Sequence, residues 1–428
     1  MKLLHALTLS AACVVVSIAT LPAQSPGSVK AFTGARVIDG TDRPPMDNAT
    51  IVVRDGKIVA VAPASRAQVP ANAERIALDG KTVIPGIVNA HGHVGNTEGL
   101  EQGHYSTGNV TRDLKTYAAY GITTVFSLGD DQAASIFARD SQRTPSLNRA
   151  RLFVAGPVLA PKTVDEARRL VDEDAAMKVD IVKIRVDDNL GATPKMAPEI
   201  YRAVIDEAHK KNLRVAVHLF YLDDAKAVLD AGADFIAHSV RDLDVDEPFI
   251  AMMKRRDICY CPTLMREVST FVYESTPAWF EDPLFQKHAD MKAVELLKQP
   301  QRQEQMKNSR SAQRYKAGLE VANRNLKKLA DAGIKIAMGT DTGPPARFQG
   351  YFELMELEMM AKAGLTPRQV LASATRDAAR CMKLDGEVGT LEGNKWADFV
   401  VLDANPLDDI SNVKKISSVW IAGNRVER

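Results

Sequence analysis

The stretch Ile84-Pro85-Gly86-Ile87-Val88-Asn89-Ala90-His91-Gly92-His93 decides the fold. It is an apolar run of the kind buried on both faces, and it ends in two histidines one residue apart. In an extended strand, residues 91 and 93 point to the same side, so both imidazoles can grip one ion. The run at 83–88 is the first of eight; the others are 122–127, 152–155, 181–186, 215–219, 235–237, 258–264 and 334–338. Most starts lie roughly 20 to 40 residues apart, with helical patterns between them such as 165–177, 198–211 and 223–231. Alternating buried strands and helices imply parallel pairing with crossovers. The fold class is therefore α/β, and eight units fit a closed (β/α)8 TIM-type barrel. A doubly wound open sheet competes, but no glycine-rich phosphate fingerprint follows the first strand.

Outward from that core, the ends differ in rhythm. Residues 30–84 alternate like short strands, with a hairpin signal at Asp55-Gly56. The C-terminal stretches WADFVVL (396–402) and VWIAGNRV (419–426) repeat that style. This predicts a small composite β-sandwich built from 24–84 plus 386–428, around a barrel at 85–385. The longest interval between strands holds a helical insertion at 276–331. Its 287–328 stretch carries more Lys and Arg than Asp and Glu, which reads as a solvated helical face or as a cover favouring an anionic group.

The 428 residues are 45% hydrophobic and 25% charged, ordinary globular proportions that exclude collagen-like, disordered and multi-pass membrane chains. A formal charge of +1 argues against a broad nucleic-acid surface, so no nucleic-acid partner is expected. Lys2 followed by an apolar run to Ala19 and small residues to Ala23 reads as a signal peptide at 1–23. Its removal predicts a periplasmic or secreted protein with no stable membrane span; an uncleaved anchor is the alternative. Four cysteines make no disulfide framework. Cys259 and Cys261 are not expected to bond to each other, and Cys381 is expected as a buried thiol.

The strand ends carry the chemistry. His91 and His93 end the first strand, His218 the fifth, His238 the sixth, and Asp341 (in Gly339-Thr340-Asp341-Thr342-Gly343) the eighth. All strand ends of a parallel barrel open on one face, so these groups converge on a metal site. Lys183 lies inside the fourth strand. A buried lysine is costly unless paired or chemically changed, and a neutral amine can add carbon dioxide to become an anionic carbamate. Pairing with Asp341 or another carboxylate is the plainer reading. His5, His104, His209 and His288 lack such placement.

Together with the tail at 389–409, these motifs resemble the amidohydrolase superfamily. The branch resembled is the imidazolonepropionase-like and Xaa-Pro dipeptidase-like group, which also contains an ochratoxin-hydrolysing amidase. The resemblance covers almost everything after the signal segment. It implies two divalent cations, zinc foremost, with His91, His93 and Asp341 on one, His218 and His238 on the other, and N-carboxylated Lys183 bridging them. It implies attack by a metal-bridging hydroxide on an amide bond of a small N-acyl amino acid or dipeptide. Asp341 would shuttle the proton, and Tyr221 resembles the tyrosine that helps polarise the carbonyl. Arg185, Arg241, Arg266 and Arg347 are candidates for substrate-carboxylate binding. Members often form even-numbered assemblies, so a homo-oligomer is an expectation. Three contexts depart from the family: Asn89 stands where aspartate is common, His238 lacks a Glu-His-Gly setting, and Lys183 lacks a following Thr-Gly-Gly. The alternatives are a single-metal cyclic amidase or deaminase of the imidazolonepropionase kind, and a non-catalytic binding protein.

Overall fold

A computed structural model describes residues 28–428. The expected signal peptide lies outside the described residues. Two all-parallel sheets form the interior. One orders Arg151–Val154, Ile122–Ser127 and Ile87–Gly92; the other orders Val158–Leu159, Val182–Arg185, Val215–His218, Phe235–Ala237 and Cys259–Cys261. Their strands are almost wholly buried, as strands covered on both faces must be. Backbone bonds run between the sheets at both edges. Asp180 N–H donates to Val154 O (2.8 Å) on one side. On the other, Ala337 donates to Tyr260 O and Ala90 to Met338 O, both at 2.9 Å.

Two strand expectations need correction. The run at 83–88 is split at Gly86: Thr82–Pro85 pairs antiparallel with Phe399–Leu402, while Ile87–Gly92 turns into the parallel sheet. A side chain at Gly86 would collide with Thr123, so only glycine lets the chain pass there. The eighth run, 334–338, is not a full strand. It joins through the parallel bridges Tyr260–Ile336 and, further on, Gly92–Thr342. Asp341, in a left-handed conformation (φ 59°), ends its extended path.

The two ends of the chain share one mainly antiparallel eight-stranded sheet, ordered Asn424–Arg425, Ile416–Ile421, Phe399–Leu402, Thr82–Pro85, Val29–Val37, Met46–Arg54 and Lys57–Pro63, with Glu74–Ala77 also beside Val29–Val37. Asp55 and Gly56 take positive φ (51° and 76°), as a two-residue hairpin turn demands. Phe32 packs edge-on against Phe399 and Trp420 at 4.9 and 4.7 Å between ring centres. The insertion folds as short helices followed by the long helix Arg310–Asp331. Its helix Pro300–Lys307 buries no residue, which suits a solvated face. Among the described residues no helix is long and apolar enough to cross a membrane.

Cys381 is not a free thiol. It is bonded to Cys259, at the start of the strand Cys259–Cys261, across 122 residues. Cys261 alone stays a free, buried thiol among the described cysteines. A cross-link closing so long a loop stabilises mainly by restricting the unfolded chain. Cys381→Ser is expected to lower stability in urea by about 2–4 kcal/mol, and excess dithiothreitol should reproduce the loss. Equal urea midpoints for the oxidised and reduced protein would contradict this.

Candidate metal centre

Strand register brings the ligand-type side chains together. Val215–His218 pairs with its neighbours so that His218 sits beside Arg185 on one side and Ala237 on the other. His238 follows directly, in a left-handed conformation (φ 78°), and Asp341 is likewise left-handed (φ 59°). Such strain in non-glycine residues persists only where surrounding structure over-determines it. The glycines flanking Asp341 explain how its turn reaches the site: a Cβ on Gly339 would lie 2.9 Å from that of His91, and one on Gly343 would strike the His93 carbonyl.

The distances close a cluster. Asp341 Oδ1 lies 2.8 Å from His93 Nε2 and 3.4 Å from His91 Nε2. Lys183 Nζ is 3.4 Å from that same His91 Nε2. The His238 ring centre is 4.5 Å from His91 and 4.2 Å from His218. All six side chains are therefore neighbours, and each except His93 is under a tenth exposed.

Burial drives the protonation states. It pushes the His91 and His238 imidazoles well below their ordinary value, and His218 down to about 3 despite its Asp187 partner. Burial lowers the Lys183 amine to about 8, only partly offset by Asp341. Among the described residues no carboxylate lies within 4.0 Å of Lys183, so the plainer ion-pair reading of this lysine finds no partner. Burial alone would raise the Asp341 carboxyl, but the Arg347 guanidinium and the two imidazoles hold it well below the usual carboxylate range. His93 Nδ1 faces the Gly129 carbonyl (3.1 Å) and must donate, which turns the Nε2 lone pair toward the Asp341 carboxylate. Burial lowers the His93 imidazole, but the Asp341 carboxylate outweighs burial and raises the ring above its ordinary value. Neutral imidazoles, a carboxylate and a desolvated amine aimed inward are a donor set that fits divalent cations.

The remaining candidates separate. Arg347 donates to Asp341 Oδ2 (2.5 Å) and to Ser269 Oγ (3.1 Å). Arg266 sits 3.9 Å from Asp341 Oδ2, held by Glu267 and by the Tyr315 hydroxyl, each at 3.2 Å. Tyr315 belongs to the insertion helix, so the insertion reaches this side of the site. Arg241 is fully buried, ion-paired to Glu267 (3.0 Å) and donating to the Leu219 and Ser239 carbonyls; it is not brought to Asp341. Arg185 is exposed. The Tyr221 hydroxyl donates to Asp188 Oδ1 (2.9 Å). Of the other histidines, His209 pairs with Asp234 at the surface.

Sequence reasoning missed three supporting groups. Glu353, wholly buried, accepts from Asn89 Nδ2 (2.7 Å), from the Thr340 and Thr342 hydroxyls and from Gly350 N–H. It thereby ties the strand of His91 to the turn of Asp341, and Asn89 serves as donor where an aspartate would repel. Glu356, like Glu353 on the helix Tyr351–Lys362, accepts the Leu264 and Met265 N–H groups (2.8 and 2.7 Å). Asp187 lies 3.1 Å from His218 Nε2. Glu353→Ala should strip several buried donors of their acceptor and cost about 2–3 kcal/mol in urea unfolding, since each orphaned buried group costs about 1–3 kcal/mol. A change under 0.5 kcal/mol, against the roughly 1 kcal/mol typical of a single hydrogen bond, would contradict it.

Residues 82–426 match the amidohydrolase family, and the chain belongs to it. The chain is 24% identical over 405 residues to imidazolonepropionase of Streptomyces coelicolor, covering 88% of this chain and 92% of that one. It is 25% identical over 281 residues to ochratoxinase of Aspergillus niger, covering 63% of this chain. The match spans about half (51%) of that ochratoxinase. In fold it is similar to a Xaa-Pro dipeptidase solved with bound methionine, with a TM-score of 0.75 and 21% identity over 94% of this chain and 100% of that one.

Proposed function

We propose that the chain is a metal-dependent hydrolase that cleaves the amide bond of a small N-acyl amino acid or dipeptide. The observation that carries this is the convergence of His91, His93, Lys183, His218, His238 and Asp341 from distant strand ends onto one cluster. The two parallel sheets, read with their edge bonds, form one (β/α)8 barrel at 85–385, and the eight-stranded sheet shared by both ends of the chain forms the composite β-domain beside it. His91, His93 and Asp341 would hold one cation, His218 and His238 the other. Lys183 would bridge them once its neutral amine has added carbon dioxide and released a proton. When bound, divalent cations supply Lewis acidity toward a scissile carbonyl and toward water.

The chain's own residues supply the rest. Asp341 takes up the proton released by the attacking water and delivers it to the departing amine. Arg347 and Arg266 lie on the Asp341 side and are suited to a substrate carboxylate. Tyr221 can turn its hydroxyl from Asp188 to the substrate carbonyl. The Cys259–Cys381 bond supports an exported protein, because disulfides persist in oxidising compartments.

One observation favours a second reading. Among the described residues, only His91, His93 and Asp341 have ligand atoms all within 4.8 Å of one another, as a single-cation cyclic amidase would need. A panel of dipeptides, N-acyl amino acids and cyclic amides, offered to the zinc-reconstituted protein, separates the two. Turnover of the linear amides is expected. Turnover of cyclic amides alone would overturn the first reading.

A further inference from the structure

The basic insertion allows a solvated face or a cover that favours an anion, and the structure gives each to a different helix. Pro300–Lys307 buries nothing and is solvated along its length. In Arg310–Asp331, Tyr315, Gly318, Ala322, Leu326 and Leu329 recur at helical spacing as a buried face. Tyr315 accepts from Arg266, and Gly318 lies against the Arg241 carbonyl, where a Cβ would come within 3.2 Å. This face seats the helix beside the site, and Arg314 stands at the edge of it. The Arg314 guanidinium lies over Phe220, 5.8 Å from the ring centre and two residues past His218. Its charge reaches the Tyr221 hydroxyl, pulling against the burial and the Asp188 contact that push that group up to about 12. Arg314 is exposed, and among the described residues no carboxylate lies within 4.0 Å of it. Arg241, Arg266 and Arg347 each already hold a carboxylate of the chain. Arg185 is uncommitted like Arg314; it pairs in register with His218 and follows Lys183 by two residues, on the same strand face.

We propose that Arg314 is a specificity-determining residue which binds an anionic group of the substrate on the Tyr221 side of the site. Arginine is then available at two places: Arg347 and Arg266 by Asp341, and Arg314 by Tyr221, where Arg185 adds positive potential. An amide with its scissile carbonyl between them reaches both, so the favoured class carries a carboxylate on the acyl part and another on the amine part. A guanidinium takes a carboxylate through two parallel N–H bonds, which a neutral amide of the same shape cannot match. Arg314 breaks no ion pair when the anion arrives, whereas Arg347 shares its guanidinium with Asp341.

The inference rests on the amide-hydrolase reading and names its substrate class; binding and turnover test the two separately. N-Succinylglycine, with a carboxylate on each side of its amide, is titrated calorimetrically into the metal-free full chain, so that binding is read without turnover. The two compounds in which one or the other carboxylate is a primary amide are titrated alongside. The wild type is expected to bind the dianion more tightly than either. Arg314→Ala should weaken the dianion about 10–100-fold, the range of a charged hydrogen bond, and leave unchanged the compound that lacks the carboxylate Arg314 binds. Arg314→Lys, which keeps the charge but not the fork, should recover part of the loss. Wild-type affinity for the dianion in Arg314→Ala overturns the inference. So does an equal weakening of all three compounds, as a merely structural role would give, or a wild type that shows no preference for the dianion. Turnover of the same compounds by the zinc-reconstituted wild type tests the underlying reading: tight binding of the dianion with no cleavage of any linear amide defeats the hydrolase assignment and leaves the anion site standing.

Discussion

Asp341→Asn is expected to lower kcat for amide hydrolysis by about 10²–10⁴-fold, the range a lost proton shuttle costs. The substitution keeps shape and removes charge. Oδ1 now faces the two imidazoles, and Oδ2 faces Arg347. An amide carbonyl can still accept from Arg347, so the turn should hold its place. It cannot take up and release a proton at neutral pH, and it is a poor cation ligand. The fold should survive, because Glu353 and the flanking glycines hold the turn independently of the carboxylate. The check is steady-state kinetics on whichever linear amide the panel identifies, paired with thermal unfolding. Loss of less than tenfold at an unchanged melting temperature would remove Asp341 from the proposed proton transfer, since tenfold is only about 1.4 kcal/mol of barrier.

Arg151→Ala is expected to cost about 3–5 kcal/mol of stability, the penalty for leaving one member of a buried ion pair uncompensated. Arg151 begins the strand Arg151–Val154, and its guanidinium grips both oxygens of Asp398 at 2.6 and 3.1 Å. Both side chains are 2% exposed. The guanidinium also lies over the Trp396 ring at 4.1 Å, and Asp398 accepts the Ala422 N–H at 2.7 Å. The pair thus fastens the parallel interior to the C-terminal strands, and removing the cation buries a carboxylate with one donor left. Replacing both, as Arg151→Met with Asp398→Leu, should recover most of the loss, because well-packed apolar side chains often substitute for a buried pair. Urea unfolding of the two variants checks this. A cost below 1 kcal/mol for Arg151→Ala, within the range of an exposed pair, would mean the junction is not a rigid one.

Strand ends were legible because a buried strand leaves a periodic apolar signature and a histidine at its end breaks it. That pattern alone brings His91, His93, His218, His238 and Asp341 to one face. The rest was hidden for particular reasons. The split of the first strand at Gly86 depends on Thr123, which is remote in sequence. The Cys259–Cys381 bond joins segments that no local pattern links. Asp187 and Glu353 are ordinary acidic residues in sequence; only the fold turns one toward His218 and the other toward the Asp341 turn. Arg266 and Arg347 could not be ranked above Arg185 and Arg241, because which arginine reaches Asp341 depends on how the loops after the last strands fold back.

Anomalous diffraction at the zinc edge, from crystals of the zinc-reconstituted chain, tests the dinuclear centre directly. Two peaks are expected among His91, His93, Lys183, His218, His238 and Asp341, with carbamate density on Lys183 between them. A single peak on His91, His93 and Asp341 with a bare lysine, or no peak at these side chains, would contradict the account.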